Sequence, residues 1–202
     1  MLPRASVKCE ELEFDRMSDR KDDVSWNSMI SRYIHNELLL KAMDLSVAWK
    51  FMHLHDVVVG SALVDMYSKC GRIEYALRFF DMMPIRNVYS WNSMISGYAC
   101  HGHGDKALSL FSRMKLDGPP PDHVTFVGVL STCSLAGMVD EGFKHFKSMS
   151  QVYGLAPWME HFSCMADLLG RAGELDKIED FINKMPIKPN ILIWSTVLGA
   201  CG

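Results

Sequence analysis

The chain has 202 residues, 49% apolar and 22% charged, with a formal net charge of −3. That balance supplies apolar surface for a continuous core and excludes a disordered or fibrous chain. The slight acidity excludes the broad basic face of a bulk nucleic-acid binder, so any such recognition must rest on local side chains.

No run of eighteen apolar residues occurs, which excludes an ordinary membrane-spanning helix. Met1 to Lys21 carries Arg4, Lys8, Arg16 and Arg20 but also Glu10, Glu11, Glu13 and Asp15. That acidity is unlike a transit peptide, and no secretory apolar core follows. Residues 10 to 22 read as the end of a helix, with Phe14 and Met17 on its apolar side, and then a polar connection. From Asp23 the run DVSWNSMISRY matches VYSWNSMISGY from Val88 almost residue for residue, which predicts a helix from about Ser25. Ile34 to Asp56 has no such match.

From Val57 onward the pattern repeats. With Gly60 as reference, the equivalent positions are Trp91, Phe126, Phe162 and Trp194, at steps of 31, 35, 36 and 32 residues, with Trp26 upstream. Such periods signal a solenoid of helical pairs. Three, four and seven residues after each reference lie Leu63, Val64 and Tyr67; Met94, Ile95 and Tyr98; Val129, Leu130 and Cys133; Met165, Ala166 and Leu169. This spacing predicts one buried face of a first helix in every repeat.

A glycine follows eleven residues after each reference: Gly71, Gly102, Gly137 and Gly173. Glycine there permits the left-handed backbone that folds a second helix back. In the upstream copy this position is Glu37, so residues 23 to 56 read as a degenerate or junction repeat where sequence has been lost.

Second helices show small residues at Ala76, Ala107 and Gly142, with Ile178 in the same column, and bulky Phe80, Phe111, Phe146 and Ile182 one turn later. Met83, Met114, Met149 and Met185 close that face, which explains the high methionine count as core packing. Pro84, Pro119 to Pro121, Gly154 with Pro157, and Pro186 with Pro189 break the chain between repeats. A final first helix is expected at Trp194, a half repeat that cannot bury its face alone and is expected to continue or fray. Cys133 and Cys201 share a column with Tyr33, Tyr67, Tyr98 and Leu169, so the six cysteines are expected to be reduced and packed.

The segments SALVDMYSKCGRIEYALRFFDMMPIRN, SWNSMISGYACHGHGDKALSLFSRM, VTFVGVLSTCSLAGMVDEGFKHFKSM and EHFSCMADLLGRAGELDKIEDFINKMP resemble the short, ordinary and long repeats of plant PLS-class pentatricopeptide repeat proteins. ILIWSTVLGAC resembles the start of the E extension of that class. The resemblance implies an all-α, right-handed α-solenoid of antiparallel helix pairs. It divides the chain into a short-repeat remnant (1–22), the junction repeat (23–56), a short repeat (57–87), an ordinary repeat (88–122), a long repeat (123–158), a last short repeat (159–190) and the start of the extension (191–202). It also implies an organellar RNA-binding protein, in the mitochondrion ahead of the chloroplast, that selects a cytidine for conversion to uridine. Single-stranded RNA is then the partner, with a deaminase supplied by a missing domain or by another editing factor. No cofactor, membrane or small-molecule substrate is expected.

In this family the fifth and last residues of a repeat face a base edge, and the second residue sandwiches the base. The resemblance therefore implies base-reading pairs Ser61 with Asn87 (adenine-like), Asn92 with Asp122 (uracil-like) and Ser163 with Asn190 (adenine-like), with Asn27 surviving alone in the junction repeat. Val58 and Tyr89 would stack. The long repeat offers Val127 and Trp158, which cannot form such a pair. The chemistry fits: an amide or hydroxyl donates and accepts, whereas a carboxylate only accepts. Ordinary helix capping is a competing role for the same Asn, Ser and Asp residues.

His35, Asn36 and Glu37 spell the H-x-E of zinc deaminases, but no P-C-x-x-C follows. His161 with Cys164 and His101 with His103 have ligand-like spacing without a second pair, and no phosphate loop or nucleophile elbow occurs. The chain is thus expected to be non-catalytic. Two rival readings are a protein-interaction scaffold using the same groove and the product of a damaged gene copy.

Overall fold

A computed structural model describes residues 57–200, apart from the side chains at 192, 196, 198 and 200. The described residues form helices α1 (Val57–Lys69), α2 (Ile73–Met82), α3 (Val88–Cys100), α4 (Gly104–Asp117), α5 (His123–Ala136), α6 (Val139–Gln151), α7 (Met159–Arg171), α8 (Leu175–Asn183) and α9 (Ile191–Ala200), with no strand among them. The reading of residues 1–56, including Asn27, the Glu37 turn and the His35 motif, lies outside the described residues, as does Cys201.

Each pair turns on its glycine. Gly71, Gly102, Gly137 and Gly173 have φ of 71°, 75°, 67° and 72°. The residue after each glycine donates its N–H back across the turn in the same way: Arg72 to Tyr67 O, His103 to Tyr98 O, Met138 to Cys133 O and Glu174 to Leu169 O, at 2.9 to 3.0 Å. This closes the otherwise open end of each first helix and sends the second helix back along it.

Packing between pairs is equally regular. Each first helix lies against the next, α1 on α3, α3 on α5, α5 on α7 and α7 on α9, while α2 and α4 pack against the following first helix. The first helices therefore make a continuous inner layer and the second helices a more widely spaced outer one, the geometry that curves a solenoid. Phe80 meets Trp91 edge-on at 4.8 Å, Phe111 meets Phe126 at 5.6 Å and Phe146 meets Phe162 at 5.5 Å between ring centroids. The aromatic reference column is thus the plug that each repeat inserts against the second helix before it.

The expected core columns are buried, including Leu63, Tyr67, Met94, Tyr98, Val129, Cys133, Met165 and Leu169, and Met83, Met114 and Met149 behind them. Gly142 is small for a reason: a Cβ there would stand 2.3 Å from Leu168 Cδ2. Burial pushes the Cys133 thiol up to about 11, so it stays protonated and unreactive. Cys70, Cys133 and Cys164 are free and at least partly buried, but Cys100 is exposed, because it ends α3 on the solvent side of the turn. The last helix begins at Ile191, one turn before Trp194, because Asn190 Oδ1 caps the N–H of Ile193 at 3.2 Å. Ile193 is buried against α7, whereas Trp194 is half exposed. No helix among the described residues is long and apolar enough to cross a membrane.

The Gly137 turn isolates backbone strain from packing, since a Cβ there would meet nothing within 4 Å. Gly137→Ala should therefore lower unfolding stability in urea by about 1–2 kcal/mol. Gly137→Asn should lose less, because asparagine tolerates the left-handed region.

Candidate functional site

The residues singled out at the fifth and last positions meet at the N-terminal ends of the first helices. Asn87 caps α3: its Oδ1 accepts the N–H of Ser90 at 2.9 Å, and the single Ser61 hydroxyl proton of α1 lies between that oxygen at 2.9 Å and Val57 O at 2.6 Å. Both acceptor bonds fall on the carbonyl oxygen. Among the described residues the Asn87 amide nitrogen keeps its hydrogens for an outside partner.

One repeat further on the arrangement is tighter. Asp122 caps α5, its Oδ1 accepting the N–H of Thr125 at 2.8 Å and the amide of Asn92, on α3, at 3.0 Å. Thr125 completes a capping box, since its hydroxyl accepts the Asp122 N–H at 3.0 Å. The single Thr125 hydroxyl proton lies between Asn92 Oδ1 at 2.6 Å and Asp122 Oδ1 at 2.9 Å. Burial alone would raise the Asp122 carboxyl, but the hydrogen bonds from Thr125 and Asn92 outweigh it and hold the group below the ordinary carboxylate range. The cluster therefore presents a charged oxygen, Oδ2, that accepts only, beside an amide nitrogen with a second hydrogen to give.

Capping and pairing, posed as competitors in the sequence, are one geometry: the cap orients the last residue of one repeat toward the fifth residue of the same repeat. Asn190 repeats the cap on α9, and Ser163 lies partly buried on α7. Of the expected stacking residues, Val58 is 60% and Tyr89 50% exposed on the same edge. Burial of its hydroxyl, and then the Asp65 carboxylate beside it, push the Tyr89 phenol up, so it stays neutral.

Two residues escaped notice in the sequence. Val124, 52% exposed, continues the Val58 and Tyr89 column and was detectable from the repeat step alone. Thr125 ties Asn92 to Asp122, and its signal was the D-x-x-T capping box.

The long repeat differs. At its cap position stands Trp158, half exposed, with its ring nearly perpendicular to His123 at 3.9 Å between centroids. His161 is buried, with Nδ1 accepting the Trp158 N–H at 2.9 Å, so Nε2 carries the proton and donates to His123 O at 2.9 Å. Both ring nitrogens are committed to backbone, which removes His161 from any pairing with Cys164 as a metal ligand. Likewise His101 Nδ1 lies 2.8 Å from Gly97 O. Charge along the first helices is largely internal: Lys69 bonds Asp65 at 2.7 Å and Arg171 bonds Asp167 at 2.9 Å.

This is a repeat protein of stacked helical pairs whose inner helices present a polar pair in two successive repeats, Ser61 with Asn87 and Asn92 with Asp122. The PPR repeat profile matches residues 24–45, 61–88, 124–152 and 160–188, and a second profile, the PPR repeat family, matches 86–135. The chain belongs to the pentatricopeptide repeat family. A putative pentatricopeptide repeat-containing protein of Arabidopsis thaliana is 64% identical over 230 residues, covering 96% of this chain and 23% of its own length. A second Arabidopsis thaliana relative, a mitochondrial pentatricopeptide repeat-containing protein, is 45% identical over 172 residues, covering 85% of this chain and 25% of its own. The chain thus spans about a quarter of the length of these relatives. The crystal structure of maize PPR10 superposes with a TM-score of 0.70 at 24% identity, over 96% of this chain and 28% of that one. PPR10 in complex with an 18-nt psaJ RNA element gives 0.72 at 20% identity, over 89% and 27%.

Burial lowers the His161 pKa below its ordinary value, and that of His145 too. A proton is then bound more tightly in the unfolded chain than in the folded one. Stability should be complete above the unfolded value of about 6.5 and decline as pH falls below it toward the folded values. Thermal melts from pH 7.5 to 5.5 should show the loss, and His161→Gln, which can accept from Trp158 and donate to His123, should flatten part of it.

Proposed function

We propose that this chain binds single-stranded RNA in a sequence-specific way and serves as a non-catalytic specificity factor for organellar C-to-U RNA modification. In this reading Ser61 with Asn87 reads adenine, Asn92 with Asp122 reads uracil, and Ser163 with Asn190 reads a second adenine two nucleotides beyond the uracil. The deaminase comes from a further domain or a partner, and the mitochondrion is the favoured compartment, as two relatives named mitochondrial suggest.

The observation that carries the reading is the Asn92–Thr125–Asp122 cluster. Uracil offers an N3–H donor flanked by carbonyl acceptors. Asp122 Oδ2 is an acceptor held ionised, and the second hydrogen of the Asn92 amide is the complementary donor. At Asn87 the free group is instead an amide nitrogen, a donor for the N1 acceptor of adenine. PPR10, of the same fold, has been solved with an RNA element bound.

The reading of residues 23–56 as a junction has independent support. The 64% identical relative aligns over 230 positions with only 96% of this 202-residue chain, so it carries roughly one additional repeat length within the aligned region. In this reading uninterrupted recognition starts at the repeat 57–87, and Asn27 stands out of register with it.

Asp122→Asn gives the sharpest check, because asparagine is as good a cap and leaves the fold intact. Its amide can donate where the carboxylate could only accept, so preference at the second position should move from uracil toward cytosine, whose N3 accepts. Fluorescence anisotropy with RNAs varied at that position measures it. An unchanged preference, or equal affinity for all sequences, sinks the coded reading.

A further inference from the structure

We propose that Trp158 is a base-stacking platform: the nucleotide opposite the long repeat is held by its ring face and is not read by its edge. This rests on the RNA-binding reading above and assigns a role to the one repeat that offers no polar pair.

Three observations carry it. First, Trp158 stands at the start of α7 in the position that Asn87, Asp122 and Asn190 hold at α3, α5 and α9, so it lies in the same row, between two polar pairs. A strand running from Asn92–Asp122 to Ser163–Asn190 must pass it. Its partner column holds Val127, and neither an aliphatic chain nor an indole can match the donors and acceptors of a base edge.

Second, a base at this step has Val124 on one side, but the stacking column fails on the other. Val58, Tyr89 and Val124 supply an exposed apolar residue at the second position of three successive repeats, but the fourth is the exposed Glu160. A carboxylate offers a base no flat apolar surface and repels the neighbouring phosphates. The indole, 50% exposed, is the flat surface available there.

Third, the platform is held in place before any ligand arrives. The buried His161 accepts the Trp158 N–H and donates to the carbonyl of His123, whose ring stands against the indole. One imidazole thus fixes both the main chain that carries Trp158 and the residue that supports its ring, which lowers the entropy lost when a base stacks on it. An apolar protein segment is the poorer occupant, because Glu160 and His123 interrupt apolar surface on either side of Trp158.

Stacking strength follows ring area, so this position should favour purine over pyrimidine while treating adenine and guanine alike. The test uses the 202-residue chain and short RNAs containing adenine, uracil, a variable position X and adenine, with X as each base or abasic, read by fluorescence anisotropy. Purines at X should bind several-fold tighter than pyrimidines, and an abasic X should weaken binding by roughly tenfold or more. Trp158→Ala should level all X while keeping the uracil preference at the preceding position, and Trp158→Phe should retain part of the purine preference. The bond from residue 158 to His161 uses main chain and survives in both variants. An abasic X that binds as tightly as adenine, with the uracil preference intact, overturns the platform and leaves the RNA reading standing. Loss of the uracil preference in Trp158→Ala as well would make Trp158 a fold support and also overturn it. Absence of binding to any of these RNAs overturns both.

Discussion

At the start of each inner helix the first N–H groups have no partner within the helix, and something must accept them. In this chain the last side chain of the preceding repeat does so, with Asp122 on Thr125 N–H and Asn87 on Ser90 N–H. That requirement pins the side chain's torsion and brings it within 3.0 Å of the fifth residue of its own repeat, on the neighbouring inner helix. In these two repeats the polar pair is therefore a by-product of capping, and the part of the cap left uncommitted is what remains for a ligand. A carboxylate leaves an acceptor and an amide leaves donors, so a change from Asp to Asn can alter recognition without loosening the helix.

That geometry only repeats because the helices return in register. The left-handed glycine at each turn and the bond that closes it set the entry of the second helix, and the aromatic plug against the preceding phenylalanine sets the spacing of the next pair. The inner helices touch one another along the whole described row, which places the caps on one continuous edge. Flexible methionines fill the space behind, where the curvature leaves irregular gaps.

The long repeat shows what happens when the cap is not a small polar residue. Trp158 cannot accept the helix N–H groups, and His161, three residues on, instead ties down the main chain at this end, taking the Trp158 N–H and reaching across to His123 O. Released from capping, the indole turns outward. The electrostatics fit a surface of local contacts: the cations of the inner helices, Lys69 and Arg171, are paired with acids one turn away, so a polyanion has to compete for them.

The columns were legible from residue spacing because a helical repeat buries the same face every period. Leu63 to Tyr67 and their equivalents, the glycine turns, the small residue at Gly142 and the methionine face all follow from periodicity and side-chain size. The family resemblance added which columns to regard as base-facing. Periodicity could not show that Asn92 and Asp122 touch, since residues 30 apart meet only when two inner helices are packed side by side, nor that Thr125 joins them. It also could not tell which oxygen of Asp122 is spent on the cap. Trp158 makes the same point from the other side: its sequence says only that it cannot pair, whereas the buried His161 beneath it, a contact made by folding, decides that its ring stands ready at the surface.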